Sequence, residues 1–204
     1  MASCHDMDLR DSGTIALDLD AHLIIRRVDR AWDLRADSFG ADRYLGLSLV
    51  GTSLLDHIAG TTTREFYRRL YARVAQSAAT VHLRYRCDAP DRIRHMELEI
   101  VPLKDGFRCR HHTRAVVPLD QPPSRYAFLK TDFSSQMPWC SRCMAVEWEG
   151  AWVPFETAVE RGCEFGSQAL PVHCTICPPC QADLHRLMQA VLPAEVSGEE
   201  AGCR

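Results

Sequence analysis

The chain has 204 residues, 46% of them apolar and 25% charged, with a net charge of -3. That length and apolar share support a real core in one or two domains. The charge balance excludes a strongly basic nucleic-acid binder, although it leaves room for a local patch. Charge is also uneven: residues 1–140 carry 20 Lys or Arg against 18 Asp or Glu, and residues 141–204 carry 4 against 9. Ten cysteines fit either a secreted disulfide scaffold or a metal protein of a reducing compartment. The first twenty residues include Asp6, Asp8, Asp11, Asp18 and Asp20 and no apolar run, so no signal peptide is expected. No apolar run of about 18 residues occurs either, so no membrane span is expected. The expectation is a cytoplasmic protein whose clustered cysteines hold metal.

Residues 1–12 are polar and expected to be loosely ordered. Thr14–Asp18 and His22–Val28 are strand signals on either side of the turn residues Asp18-Leu19-Asp20-Ala21, which predicts an antiparallel hairpin. Asp29 is placed to cap a helix to about Ser38, with Trp32 and Leu34 buried and Phe39-Gly40 ending it. After Tyr44–Gly51, Ser53–Ile58 reads as a short helix or turn. The strongest helix signal spans Arg64–Ser77 behind Thr61–Thr63. There Phe66, Leu70 and Val74, with Tyr67 and Tyr71, make one apolar stripe, and Arg64, Arg68 and Arg73 lie mostly off it.

Three strands follow. Val81, Leu83, Tyr85 and Cys87 alternate with His82, Arg84 and Arg86; Met96, Leu98 and Ile100 alternate with His95, Glu97 and Glu99; Phe107–Val117 closes the set. Asp88-Ala89-Pro90-Asp91 and Asp105-Gly106 supply the turns, and arginines facing glutamates on neighbouring strands suit cross-strand pairing. Pro118–Ser124 reads as a linker. Beyond it, 125–138 read as a connecting helix or strand, and Val146–Val153 as a hairpin about Gly150. Phe155–Arg161 reads as a short helix stopped by Gly162. Leu184, Leu187, Met188 and Val191 form the stripe of a last helix, and the residues from Pro193 an acidic, frayed tail.

That element order resembles a PAS sensory domain over residues 12–118. The likeness rests on Asp18-x-Asp20, on Val28-Asp29-Arg30-Ala31-Trp32 leading into a helix, and on Leu45-Gly46 ahead of Ser53-Leu54-Leu55-Asp56. The stretch Tyr85–Arg92 and the later cysteines resemble a group of bacterial PAS-like proteins that end in a small cysteine-pair module. The resemblance implies an α+β fold: a PAS-like five-stranded antiparallel sheet with flanking helices, often dimeric and used for sensing or protein contacts, plus a small zinc-binding module. The organisation expected is a PAS-like sensory domain at 12–118, a linker at 119–136, a zinc-ribbon-like module at 137–191 and a disordered tail at 192–204.

Cys140-Ser141-Arg142-Cys143 and Cys177-Pro178-Pro179-Cys180 stand 33 residues apart, and each can bring two sulfurs to one ion. The spacer exceeds the ~15–20 residues usual between such pairs. Thiolates select a soft or borderline cation, so Zn2+ is expected and iron is its rival. Four protein ligands, Cys140, Cys143, Cys177 and Cys180, leave no open position. The ion is then structural, in a segment expected to be too small for a core of its own. In the resembling module a histidine commonly stands three residues before Cys-Pro-x-Cys. Here that position is Cys174, with His173 one earlier, so Cys174-Thr175-Ile176-Cys177 makes a third C-x-x-C. Cys174 is therefore a spare ligand, a partner to a ligand, or an ordinary buried cysteine.

No flavin-adduct cysteine motif is visible, and the helix that carries the haem histidine in oxygen-sensing PAS domains has no histidine here, so the occupant of a PAS pocket is unknown. His111 shares the alternation of Phe107, Cys109 and Thr113 and is expected to be a hydrogen-bonded core residue. His112 points to the opposite face, so the pair, with His95, does not make a second metal site. Arg84, Arg86, Arg92, Arg94, Arg108 and Arg110 have Glu97 and Glu99 as neighbours, as in a solvated charged face. With no Gly-rich phosphate loop, G-x-S-x-G or H-E-x-x-H, no enzyme is expected. The expected function is non-catalytic sensing or scaffolding in signal transduction, through contacts with a protein partner and a homodimer of the PAS domain. Two rivals remain: a thiol redox sensor using Cys174 beside the zinc site, and a zinc-ribbon nucleic-acid-binding regulator that the acidic module disfavours.

Overall fold

Period-two alternation builds the first half of the molecule. The structure is a computed structural model that describes residues 13–38, 45–88, 92–118, 128–131, 137–161 and 170–191. Strands β1 (Thr14–Asp20), β2 (Ile25–Val28), β3 (Val81–Arg86), β4 (Arg92–Leu103) and β5 (Gly106–Pro118) form one antiparallel sheet in the order β2-β1-β5-β4-β3. Helices α1 (Arg30–Ser38), α2 (Gly46–Leu49) and α3 (Thr61–Ser77), with a 3-10 turn at Leu54–His57, lie between β2 and β3 in the chain. This is the PAS-like α+β sheet with flanking helices that the sequence predicts. Leu17, Leu19, Val81, Leu83, Leu98, Ile100 and Phe107 share a buried cluster with Leu70, Tyr71 and Val74 of α3.

The other face of the sheet is ionic, because the register sets Arg84 opposite Glu97 and Glu99 opposite Arg110. Arg27 and Arg108 both hold Asp18, Arg110 holds Glu99, and Arg114 and His82 hold Glu97. Local polar groups place the helices. Asp29 caps α1 by accepting the Trp32 N–H at 2.9 Å, and its other oxygen accepts the Ala16 N–H at 2.7 Å, tying the helix start to β1. Asp20 accepts the N–H groups of His22 and Ile24 at 2.8 and 2.9 Å, so β1 runs on through Asp20 before the chain turns.

One core assignment is corrected. Trp32 packs against the apolar cluster, whereas Leu34 is 62% exposed. Two residues along a helix are about 200° apart around its axis, so Trp32 and Leu34 cannot share a buried face. The predicted stops at Phe39-Gly40 and Gly162, most of the 88–91 turn, the 119–124 linker residues and the tail from Pro193 lie outside the described residues.

The second half forms another five-stranded sheet. Its strands are β6 (Phe128–Thr131), β7 (Met137–Cys140), β8 (Ala145–Trp148), β9 (Ala151–Pro154) and β10 (Leu170–Thr175), in the order β6-β10-β7-β8-β9. β10 runs parallel to both β6 and β7. Helix α4 (Phe155–Glu160) follows β9, and α5 (Pro178–Ala190) follows β10. The β8–β9 hairpin turns on Glu149 and Gly150, with φ of 51° and 78°, as a two-residue type I′ turn requires. The expectation that this segment lacks a core is corrected: Trp139, Val146, Phe155, Ala158, Val172 and Cys174 make a buried cluster of their own.

The two sheets meet beside α3 and β3. The buried cluster of the first half continues into Cys140, Ala145, Ile176, Cys177, Cys180, Leu184 and Val191. Gly60, the N-cap of α3, has φ 86°, and a Cβ there would stand 2.1 Å from the Cys174 carbonyl oxygen on β10. Backbone approach and positive φ both demand glycine. Gly60→Ala is therefore expected to lower the unfolding free energy by roughly 2 kcal/mol or more, measured by denaturant titration of the full chain.

Candidate metal centre

Each cysteine pair occupies a turn that its own sequence shapes. Cys140 ends β7 and Cys143 precedes β8, and the chain reverses through Met144, whose φ is 61° and whose N–H donates to the Cys140 carbonyl at 3.0 Å. A left-handed residue with a side chain costs ~1–2 kcal/mol, which the surrounding contacts must offset. Cys177 is the N-cap of α5, and Pro178-Pro179 occupy the first turn, where a missing N–H leaves no helical bond unmade. The parallel pairing of β7 with β10 sets Cys140 opposite Thr175, and the Ser141 N–H donates to the Thr175 carbonyl at 2.9 Å.

These constraints bring the Sγ atoms of Cys140, Cys143, Cys177 and Cys180 within 4.8 Å of one another. Cys143 and Cys177 are 3.7 Å apart, sulfur to sulfur. Cys140 and Cys177 are deeply buried, at 0% and 2% exposure, and Cys143 is half-buried. The Cys140 sulfur accepts the Cys177 N–H at 3.4 Å. Hydrogen bonds from the Cys143 and Cys180 thiols, then from the backbone, hold the Cys140 thiol far below the usual thiol range. Cys143 is pushed up to about 12, first by the hydrogen bond it gives to Cys140. Cys180 is pushed up further, by its hydrogen bonds to Cys140 and Cys143 and then by burial. The burial and mutual contact of these sulfurs oppose ionisation of Cys143 and Cys180, and a cation among them would favour it. An all-sulfur set suits a soft or borderline ion and does not suit Mg2+ or Ca2+. The four cysteines singled out in the sequence can hold a metal ion together.

Cys174 does not join them. It lies opposite Trp139 in the β7–β10 register, one position from the Thr175–Cys140 pair, so its side chain points to the other face of the sheet. There it is 2% exposed within the second apolar cluster. Among the described residues, the ligand group includes neither Cys174 nor His173.

Two arginines fasten this centre to the first sheet. The Arg142 carbonyl accepts the Arg86 N–H at 2.8 Å, and the Arg142 guanidinium donates to the Arg84 carbonyl at 3.0 Å and pairs with Asp183 of α5 at 3.2 Å. Thr63 of α3 donates to the Ser141 hydroxyl at 3.1 Å. Arg86 lies between Asp88 and Glu156 with its side chain 12% exposed. Burial opposes its charge, but the hydrogen bonds to Glu156 and Asp88 outweigh burial and raise its pKa. Burial also pushes the Glu156 carboxyl up, and the Arg86 hydrogen bond with a backbone N–H brings it below the ordinary value. The alternation of β3 places Arg86 on the wet face and gives no sign that α4 lies against it.

Inside the first sheet, the Tyr71 hydroxyl meets the Cys109 sulfur at 3.0 Å, and the Tyr85 hydroxyl meets His111 Nδ1 at 2.7 Å. His111 is hydrogen-bonded, as expected, but half-buried rather than part of the core. His112, on the opposite face, meets Thr14 at 2.9 Å.

No family model matches the sequence, and no curated protein matches it. Among solved structures the chain is similar to a domain of an HTR-like protein from Haloarcula marismortui, at 15% identity and TM-score 0.37, over 50% of this chain and 98% of that one. It is similar to the photoactive yellow protein domain of the sensor histidine kinase Ppr from Rhodospirillum centenum, at 13% identity and TM-score 0.37, over 55% and 93%. A third is the PAS domain of nitrogen regulation protein NR(II) from Vibrio parahaemolyticus, at 17% identity and TM-score 0.28, over 58% and 100%. The class, a PAS-like α+β fold joined to a four-cysteine site, rests on the strand order and the sulfur geometry. No described helix is long and apolar enough to cross a membrane.

Glu156→Gln removes one side of the Arg86 bridge and is expected to cost about 1–3 kcal/mol at neutral pH, discounted for partial exposure. The folded carboxyl lies below its unfolded value of about 4.3. Its contribution is therefore complete above that value and is lost as pH falls through the folded pKa. Denaturant titrations across that range should show wild type and variant converging in acid.

Proposed function

We propose that this protein is a non-catalytic sensory or scaffolding component of signal transduction. In this reading a PAS-like domain at 12–118 acts through protein contacts, and a cysteine module at 137–191 is held shut by structural Zn2+. The observation that carries it is the position of the four sulfurs beside β3, with Arg142, inside the first C-x-x-C, bonded to the backbone of Arg84 and Arg86. Zn2+ suits four thiolates without a preference for any other geometry, and a closed ligand set leaves no site for a reacting water. The ion then fixes the β7–β8 turn, which fixes the edge of the sensory sheet.

The partner is a protein, and the assembly includes a homodimer through the PAS-like domain in the cytoplasm. Against a nucleic-acid partner, the arginines of the sheet face are already engaged by Asp18, Glu97 and Glu99, which leaves few cations to displace counterions from phosphate. A redox reading that relies on Cys174 lacks a geometric basis, since that thiol faces away from the other four.

Native mass spectrometry of protein purified without added metal tests this directly. One zinc per chain and a dimeric mass are expected, and cobalt substitution should give the charge-transfer bands of four sulfurs. A metal-free chain that keeps its fold would overturn the zinc staple, and a monomer at micromolar concentration would overturn the dimer.

A further inference from the structure

We propose that Cys143 is the oxidant-reactive sulfur of the centre, and that a hydroperoxide converts it to a disulfide with Cys177. The inference rests on the reading of the four sulfurs as a metal site and adds to it which sulfur meets the solvent first.

A groove of about 720 Å³ opens between the two halves, with Arg84, Arg114, Arg142 and Met96 in its walls and Cys143 and Cys180 along its lining. The other two sulfurs have no such access, since Cys140 and Cys177 are 0% and 2% exposed and lie outside that lining. Cys180 reaches the groove but is itself buried, whereas Cys143 is half-buried. Four arginines, Arg84, Arg86, Arg114 and Arg142, and two carboxylates, Glu97 and Asp183, also line the groove. Arg84 and Arg114 extend into solvent and share one carboxylate, Glu97. The sulfur that a peroxide can reach is the one that reacts first.

Three thiols lie within 4.8 Å of the Cys143 sulfur, and Cys177 is the one assigned to resolve the product. Its sulfur is 3.7 Å from that of Cys143, within a short side-chain movement of the ~2.05 Å bond. Cys140 is the poorer candidate, because the Cys177 N–H holds its sulfur in place. In the first step the Cys143 thiolate attacks a peroxide oxygen, the O–O bond breaks, and the leaving hydroxide takes a proton to become water. Cys143 is then a sulfenic acid. In the second, the Cys177 thiolate attacks that sulfur, the S–O bond breaks, and a second hydroxide leaves and is protonated. Two thiolates lose two electrons, and hydrogen peroxide is reduced to two waters. Half of the sulfur ligands are then gone, so the ion is expected to leave.

The test uses the full chain with Cys4, Cys163 and Cys203 changed to Ser. Metal content is measured first. Hydrogen peroxide is then added below one equivalent, thiols are blocked, and disulfide-linked peptides are mapped by mass spectrometry while a chromophoric chelator records release. The expected first linkage is Cys143–Cys177, with one ion released per disulfide. A first linkage of Cys140–Cys143 or Cys177–Cys180, any linkage through Cys174, or oxidation without a disulfide overturns the proposal. A Cys143–Cys177 linkage in protein that held no ion at the outset would sink the structural-zinc reading and uphold the reactive sulfur.

Discussion

Four thiols packed around one point cannot all ionise without a cation among them, and the molecule's second half is arranged around that constraint. The cost is electrostatic: each added thiolate would meet the negative charge of those already formed, around a Cys140 sulfur that is fully buried. A divalent ion bound there would reverse the sign of that interaction and turn a repulsive cluster into a cross-link between β7 and the start of α5. The turn chemistry is matched to it. Two prolines start α5 directly after Cys177, and Met144 holds the left-handed position after Cys143.

The cross-link lies at a seam, which is what connects it to the first sheet. β3 is an edge strand, and an edge presents unpaired N–H and C=O groups that must find partners. Here the Arg86 N–H and the Arg84 carbonyl are taken by Arg142, from inside the first cysteine pair. Arg86 in turn reaches Glu156 on α4, and Gly60 lets α3 start against the backbone of β10. Apolar contact, ionic contact and backbone contact all cross the same boundary. The first cysteine pair therefore meets the first sheet at the edge strand β3.

Much of this was legible in the residues. Alternation in 81–87, 95–100 and 107–117 defines β3, β4 and β5, the stripe of Phe66, Leu70 and Val74 defines α3, and Asp29 marks the start of α1. The four cysteines that cluster stand out by their spacing alone. The rest depended on facts that no local pattern carries. β10 hides behind Pro171 and His173, which break its alternation. The face that Cys174 takes is set by a register with β7, where a shift of one residue would reverse it. Arg86 looks like any wet-face residue of β3 until α4 packs over it. Leu34 fails for a simpler reason, since burying Trp32 excludes it.

Hydrogen exchange before and after removal of the ion, under reducing conditions, tests the coupling between the sulfur centre and the first sheet. The account predicts that stripping the ion exposes the amides of Cys143–Ala145, Cys177, Cys180 and Gln181 together with that of Arg86, while β1, β4 and β5 stay protected. Full protection of the Arg86 and Cys177 amides in metal-free protein would contradict it.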